Sequence, residues 1–180
     1  MDVRRVVTGY ANGNKSVVVT DGPATNHYEM KSLPGFARTI LWSTNSPALY
    51  PAGEDPAPSV TSLHPEPGET RCLLLTLPPD SSMGSADFDP QAFFAEGLEH
   101  CPGIFERMEA DHPGMHQTDS VDYVMVVDGE IWLELDNGET TRLQQHDFVI
   151  QNGTRHGWRN KSSAPATILA ILIGARRRDA

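Results

Sequence analysis

The chain has 180 residues, of which 38% are hydrophobic; this length suits one domain, and this apolar content excludes disorder throughout. The 24 acidic residues outnumber the 14 basic ones and give a net charge of −10, which makes nucleic acid and anionic membranes poor candidate partners. Because the sequence contains neither an apolar stretch of membrane-spanning length nor the apolar segment of a signal peptide at residues 1–5, we expect a cytoplasmic protein.

The first half of the chain holds most of the prolines. Thirteen of the 14 prolines lie at or before Pro113, and proline cannot donate a hydrogen bond to a sheet ladder. Runs of β-branched and apolar residues predict strands at 15–20, 38–43 and 70–77. Residues 47–67, which contain six prolines, are predicted to form a loop or an edge. One short helix is predicted, with Asp89 as N-cap and Pro90 at the first helical position, ending at about Leu98.

The sequence of the second half of the chain predicts a series of short strands separated by turns. Asp128-Gly129 is a strong two-residue hairpin signal, and Asn152-Gly153 predicts another turn. The predicted strands are 121–127, 131–135, 140–143, 148–151, 156–160 and 166–173. Short strands at even spacing, with no helix between them, indicate an antiparallel sandwich or barrel.

Two histidines stand in patterns that suggest chemistry. The first pattern reads His-x-Thr-x3-Asp-x6-Gly and uses His116, Thr118, Asp122 and Gly129. The second reads Gly-x2-His-x3-Asn and uses the segment 153–160, with His156 and Asn160.

These patterns resemble the two motifs of the cupin superfamily, G-x5-H-x-H-x3,4-E-x6-G and G-x5-P-x-G-x2-H-x3-N. The resemblance implies an all-β protein with a cupin-type double-stranded β-helix, or jelly-roll barrel, an N-terminal strand and loop extension, and one short helix. It implies a single domain over 1–180, with the extension and additional barrel strands at 1–110 and the motif core at 111–175. A homodimer is also implied, in which the proline-rich first half could form an exchanged arm. More narrowly, residues 4–8 and 115–123 resemble small cupin-domain proteins of secondary-metabolite clusters, some of them labelled oxidoreductases.

The departures from the motifs bear on metal binding. Thr118 stands where the second histidine is expected, Asp122 replaces the glutamate, and Gln151 stands at the proline position. His116, Asp122 and His156 would remain as a two-histidine, one-carboxylate set, which suits Fe and also accepts Zn, Mn or Ni. His116 and Asp122 would lie about 20 Å apart on one extended strand, so the chain must turn between them. His112 is an alternative ligand.

The same residues also permit a site without metal. His116, Asp122 and His156 could form a buried hydrogen-bonded cluster, with Thr118 and Asn160 as partners. Side-chain alternation along the strands predicts an apolar cavity for a small organic substrate. Its predicted lining residues are Thr118, Val124, Leu133, Trp158 and Asn160.

Three functions follow from this interpretation. The first is a metal-dependent enzyme, of oxidoreductase, dioxygenase or lyase type, in which His116, Asp122 and His156 act on an apolar or aromatic metabolite. The second is a metal-free isomerase, cyclase or dehydratase in which a His116–Asp122 or a His156–Asp122 dyad acts as acid and base. The third is a small-molecule-binding barrel without catalysis.

Overall fold

The computed structural model describes residues 3–178, and antiparallel strands make up most of its regular secondary structure. In chain order, the eleven strands and one α-helix of these residues are β1 Arg4–Ala11, β2 Lys15–Pro23, β3 Asn26–Glu29, β4 Ala37–Thr44, β5 Thr70–Leu77, α1 Pro90–His100, β6 Ser120–Asp128, β7 Glu130–Glu134, β8 Thr140–Gln144, β9 Phe148–Gln151, β10 Gly157–Arg159 and β11 Ala166–Gly174. Short 3-10 turns lie between some of them. The prediction of an all-β protein with one short helix is confirmed.

The strands form three sheets. The largest has six strands in the order β3-β4-β5-β11-β6-β9, and a smaller one has the order β10-β7-β8. Strands β1 and β2 form a separate hairpin. The central strand β11 pairs with β5 on one side and β6 on the other, so strands from the first half of the chain extend the sheet that carries the motif segments.

The sequence prediction missed two strands, β1 and β3. Strand β1 contains exposed polar and charged residues among its apolar ones, so its apolar content is not that of a core strand. Strand β3 has only four residues, and it pairs with β4 at the edge of the sheet. Neither contains a long apolar run, which is the signal that the sequence prediction used.

The core lies between the six-stranded and three-stranded sheets. Side chains along β6 alternate as expected, with Val124 and Val126 buried and Tyr123 exposed. Ile131 of β7 belongs to the same buried apolar cluster. Each such side chain contributes about 1.5–3 kcal/mol when fully buried, so this alternation fixes which face of β6 points inward.

The hairpin between β6 and β7 requires a glycine. Gly129 has a φ of +75°, in the left-handed region that glycine adopts without strain. A Cβ at this position would lie 2.9 Å from the carbonyl oxygen of Pro165. The predicted Asp128-Gly129 turn is confirmed, and it sets the register that points Val124 and Val126 into the core.

Helix α1 covers one end of the space between the sheets. The Asp89 side chain accepts hydrogen bonds from the backbone amides of Gln91 and Ala92, which confirms the predicted N-cap. The helix continues two residues beyond the predicted end at Leu98, as far as His100. Among the described residues no helix is long and apolar enough to cross a membrane.

Candidate functional site

A cavity of about 1040 Å³ opens between the sheets and helix α1. Its wall is largely apolar, and it contains five of the six phenylalanines of the chain. These are Phe36, Phe88, Phe93, Phe94 and Phe105. Four of them come from the helix and the segments on either side of it, which is a contribution that the sequence analysis missed. Their clustering between residues 88 and 105 was the available signal.

His116 and His156 meet at the polar end of this cavity. Their backbones form an antiparallel bridge in which each amide donates to the other carbonyl at 2.9 Å. Their ring centroids lie 4.4 Å apart. The prediction that barrel closure brings His156 beside His116 is confirmed.

The hydrogen bonds of both rings determine which nitrogen faces the cavity. The Nδ1 of His116 lies 3.1 Å from the carbonyl oxygen of Gly114, and that of His156 lies 3.0 Å from the carbonyl oxygen of Thr154. Since a carbonyl can only accept, each Nδ1 carries the proton and each Nε2 keeps a free lone pair. Histidines that bind metals are oriented in the same way.

Burial keeps both imidazoles neutral. It lowers the pKa of His116, and it lowers the pKa of His156 to about 4, with the neighbouring His116 adding to the effect. At neutral pH the two Nε2 atoms are therefore available as metal ligands or as proton acceptors.

Asp122 points into the same cavity from β6, where it pairs with Leu172 and Gln151. It is 6% exposed, and its Oδ1 has no hydrogen-bond partner. Burial raises the pKa of Asp122 to about 6, an effect that the nearby Ser120 hydroxyl opposes. A carboxylate oxygen held without a partner in an apolar cavity is costly, which suggests that a bound group supplies the partner.

The three predicted ligands line one cavity, but they do not form a preassembled set. Within the described residues, the only carboxylate, histidine and cysteine ligand atoms that gather in threes within 4.8 Å belong to Glu109, Asp111 and His112. The ligand atoms of His116, Asp122 and His156 therefore do not all lie within 4.8 Å of one another, as the predicted two-histidine, one-carboxylate set would require. Asp122 has one methylene fewer than the glutamate of the motif, which shortens the reach of its carboxylate.

His112 does not complete the site. Its side chain is 60% exposed, and its Nδ1 lies 3.8 Å from Glu109. The Glu109 carboxylate in turn receives two hydrogen bonds from Arg155, each 2.6 Å long. The alternative ligand His112 therefore stays outside the cavity, since its side chain faces solvent among acidic residues.

Three of the five predicted lining residues, Thr118, Val124 and Trp158, do line the cavity. Leu133 lies in the buried core between the sheets instead. The Asn160 amide donates to the carbonyl oxygens of Leu77 and Ala164, and its Oδ1 accepts from Ser162. It therefore holds a turn together, and its prediction as a substrate-contacting residue is wrong.

Thr118 and Ser120 form a hydroxyl pair beside Asp122. The Ser120 hydroxyl donates to Oγ1 of Thr118 at 2.9 Å, and both side chains are buried. The expectation of a closed cluster that joins both histidines and Asp122 is not met. Each Nδ1 bonds to a backbone carbonyl, and the Asp122 Oδ1 remains unpaired.

Comparison with known proteins identifies the family. The sequence model of the cupin domain family matches residues 105–172 of this chain. The oryzines biosynthesis cluster protein J of Aspergillus oryzae is 31% identical over 141 residues, which cover 68% of this chain and 79% of that protein. The phomopsin biosynthesis cluster protein D of Diaporthe leptostromiformis is 54% identical over 79 residues, 38% of this chain and 42% of that protein.

A third relative, a cupin-domain-containing oxidoreductase of Hypocrea virens, is 32% identical over 65 residues, 34% of each chain. The matches to this oxidoreductase and to the phomopsin cluster protein span less than half of the relative's length. The domain match over the motif core and the long match to the Aspergillus oryzae protein show that this chain belongs to the cupin superfamily.

Proposed function

We propose that the protein is a metal-dependent enzyme that converts a small apolar metabolite in an oxidoreductase or lyase reaction. The observation that carries this proposal is the chemistry of the polar end of the cavity. Two neutral imidazoles present free Nε2 lone pairs there, and Asp122 presents an unpaired carboxylate oxygen. Three acceptors without matching donors favour a bound cation.

His116, His156 and Asp122 would have different roles at this metal site. His116 and His156 would hold the ion through Nε2, with each ring fixed by its Nδ1 hydrogen bond to the backbone. Asp122 would supply negative charge, and its short side chain leaves room for substrate or water beside the ion. A divalent Fe, Mn, Ni or Zn bound there polarises a carbonyl or activates O2 or water.

The rest of the cavity would select and shield the substrate. Its apolar wall removes water from the ligand and strengthens electrostatic interactions at the polar end. The names of two relatives refer to biosynthesis clusters and that of a third to an oxidoreductase, which supports a role in secondary metabolism for this chain as well.

The test is a metal titration of protein purified without a histidine tag. We expect about one ion per chain in the original protein and loss of binding in His156→Ala. His146→Gly is the matched control, because His146 lies outside the cavity wall and its φ of +74° suits glycine. Less than about a tenth of an equivalent of Fe, Mn, Ni or Zn in the original protein would exclude the proposal.

A second candidate is a metal-free isomerase or cyclase. It is favoured by the separation of Asp122 from the histidines and by the pKa of Asp122, which burial raises to about 6. A carboxylate with such a pKa suits general acid–base work near neutral pH. Turnover that withstands chelators and is lost in Asp122→Asn would select this function. A ligand recovered unchanged after incubation with metal and O2 would instead indicate a binding protein.

A further inference from the structure

The imidazole of His156 is oriented by one backbone carbonyl group. Its Nδ1 donates to the carbonyl oxygen of Thr154 at 3.0 Å, which leaves Nε2 free. Thr154 is itself exposed, and it lies in the loop 152–155 that follows β9. Because loop backbone at the surface is mobile and can bond to water instead, the orientation of His156 depends on what else holds this carbonyl group.

The side chain of Gln151 holds the same carbonyl group. Its Nε2 lies 3.0 Å from the carbonyl oxygen of Thr154 and 3.0 Å from the Oγ1 of that residue. Since a carbonyl oxygen can only accept, it is the amide nitrogen of Gln151 that faces Thr154. The two lone pairs of this carbonyl oxygen are therefore used by one N–H group of Gln151 and one of His156.

The surroundings of Gln151 favour a fixed side chain. Gln151 is 3% exposed, although glutamine ordinarily lies at the surface. It ends β9 and pairs with Asp122 of β6, and directly opposed residues of an antiparallel pair lie on the same face of the sheet. Gln151 therefore links the strand pair that carries Asp122 to the loop that orients His156.

A second glutamine contacts the same loop. Gln117 donates from its Nε2 to the carbonyl oxygen of Gly153 at 2.6 Å, and its side chain is exposed. The two glutamines thus hold neighbouring carbonyl groups of one loop. The ring of His156 bonds to the carbonyl group that Gln151 holds, which gives the two side chains different consequences for the site.

We infer that Gln151 is a positioning residue, which holds the Thr154 carbonyl group so that His156 keeps its proton on Nδ1 and presents Nε2 to the cavity. The proline of the cupin motif has no side-chain donor, so these hydrogen bonds are a property of this chain and not of the motif. Without them the carbonyl group is free to turn to water, and the imidazole loses the acceptor that selects its tautomer. In its consequence for metal binding, the inference rests on the proposed function.

The experiment is NMR of the histidine ring nitrogens at neutral pH, which distinguishes the two tautomers of a neutral imidazole. The full chain is measured after EDTA treatment, and the spectra of His156→Ala and His116→Ala assign the two rings. We expect both rings of the original protein to carry the proton on Nδ1. Gln151→Met keeps the length of the side chain and removes its donors. In this variant His156 should become a mixture of tautomers, whereas His116, whose ring bonds to Gly114, should not change.

Gln117→Met is the matched control. It makes the same substitution against the same loop but releases the carbonyl group of Gly153, so His156 should keep its proton on Nδ1. A His156 tautomer that is unchanged in Gln151→Met, or that changes equally in Gln117→Met, would overturn the inference. Circular dichroism and thermal melting of each variant verify that it is folded.

A second measurement needs no variant. In the original protein, a side-chain amide proton of Gln151 should show a nuclear Overhauser contact with the Nδ1 proton of His156, because both protons bond to one oxygen atom. Absence of this contact, with both protons visible, would contradict the inference even if Gln151→Met did not fold.

Titration with Zn separates this inference from the proposed function. In protein that binds Zn, Gln151→Met should lower the affinity roughly tenfold or more, as the loss of a group that orients a ligating histidine does, and Gln117→Met should leave it unchanged. The original affinity in Gln151→Met would overturn the inference. A protein that binds no metal, but in which Gln151→Met alters the His156 tautomer, would refute the proposed metal dependence alone and support the role of Gln151.

Discussion

Gly97 of helix α1 lies directly against the ring of Phe105, so close that a Cβ at Gly97 would be 1.9 Å from Cε1. An alanine in a helix interior is ordinarily about 1 kcal/mol more favourable than glycine. Here Phe105 is buried at the cavity wall, and the ring cannot retreat without disturbing neighbouring phenylalanines. The absence of a side chain at Gly97 thus sets the distance between the helix and the cavity.

We predict that Gly97→Ala lowers the free energy of unfolding by about 1–3 kcal/mol, because overpacking outweighs helix propensity. Urea denaturation measures the change. Gly84→Ala is the control, since a Cβ at Gly84 would meet nothing within 4 Å. A more stable Gly97→Ala protein would show that the helix moves easily away from Phe105.

The hydrogen bonds that Glu96 accepts lead us to predict that the folded protein loses stability in acid. Burial alone would raise its pKa, but hydrogen bonds from the Ser32 hydroxyl, the Lys31 and Ser32 amides and the Tyr28 hydroxyl outweigh burial and lower the pKa to about 2. The folded protein binds this proton less readily than the unfolded chain does. The stabilisation is therefore complete above the ordinary value of 4.5 and disappears as the pH falls toward 2.

The test is to measure the free energy of unfolding at several pH values between about 2 and 4.5. In Glu96→Gln we expect a smaller decline with falling pH, together with lower stability at neutral pH. Glu99→Gln, an exposed carboxylate on the same helix, should retain the original pH dependence. Identical curves for Glu96→Gln and the original protein would show that the hydrogen bonds to Glu96 do not persist in solution.

Lengthening the carboxylate at position 122 should strengthen metal binding. Asp122→Glu adds the methylene that the cupin motif contains and lengthens the reach of the carboxylate within the cavity that His116 and His156 also line. We expect roughly tenfold higher affinity for Fe, Mn, Ni or Zn by calorimetry or chelator competition. Asp119→Glu adds the same methylene outside the cavity and should leave the affinity unchanged. Weaker binding in Asp122→Glu would mean that the ion uses the shorter side chain directly.

The exposed apolar residues predict that the chain forms a homodimer. Phe148 and Ile150 of β9 and Tyr123 of β6 are exposed on the outer face of the large sheet, and Val18 and Val19 are exposed on the β1–β2 hairpin. Contiguous apolar patches mark interaction surfaces, so these two faces are candidates for contact with a second copy of the chain.

Light scattering after size exclusion should give twice the mass of 19.7 kDa. Phe148→Glu should shift the mass toward the monomer, and Glu139→Gln, an exposed polar change outside these surfaces, should not. A monomer at high protein concentration would contradict the prediction.

The strands that carry the site were predictable because their signals are local. A run of alternating apolar residues, followed by Asp128-Gly129, specifies both the strand and its turn. The motif spacing then placed His116, Asp122 and His156 on the same cavity. The fold and the identity of the polar residues could be predicted in this way.

The aromatic side of the cavity could not be predicted, since it depends on tertiary packing. Phe93 and Phe105 come from segments whose sequence specifies a helix and a turn but not the ring against which each packs. Asn160 illustrates the opposite error. It stands at the motif position, but β10 ends one residue earlier at Arg159. Its amide donates to Leu77 and Ala164, and no local pattern distinguishes this use from substrate contact.

The backbone bridge between His116 and His156 has a consequence for how this site can change over evolutionary time. The two segments are joined by amide and carbonyl groups that every residue except proline possesses in full. Either imidazole can therefore be replaced while the frame that positions its neighbour persists. Thr118, at the position of the second motif histidine, lies buried two residues from this bridge. A substitution at position 116 or 156 can thus change the chemistry of the cavity while the main chain keeps the two segments together.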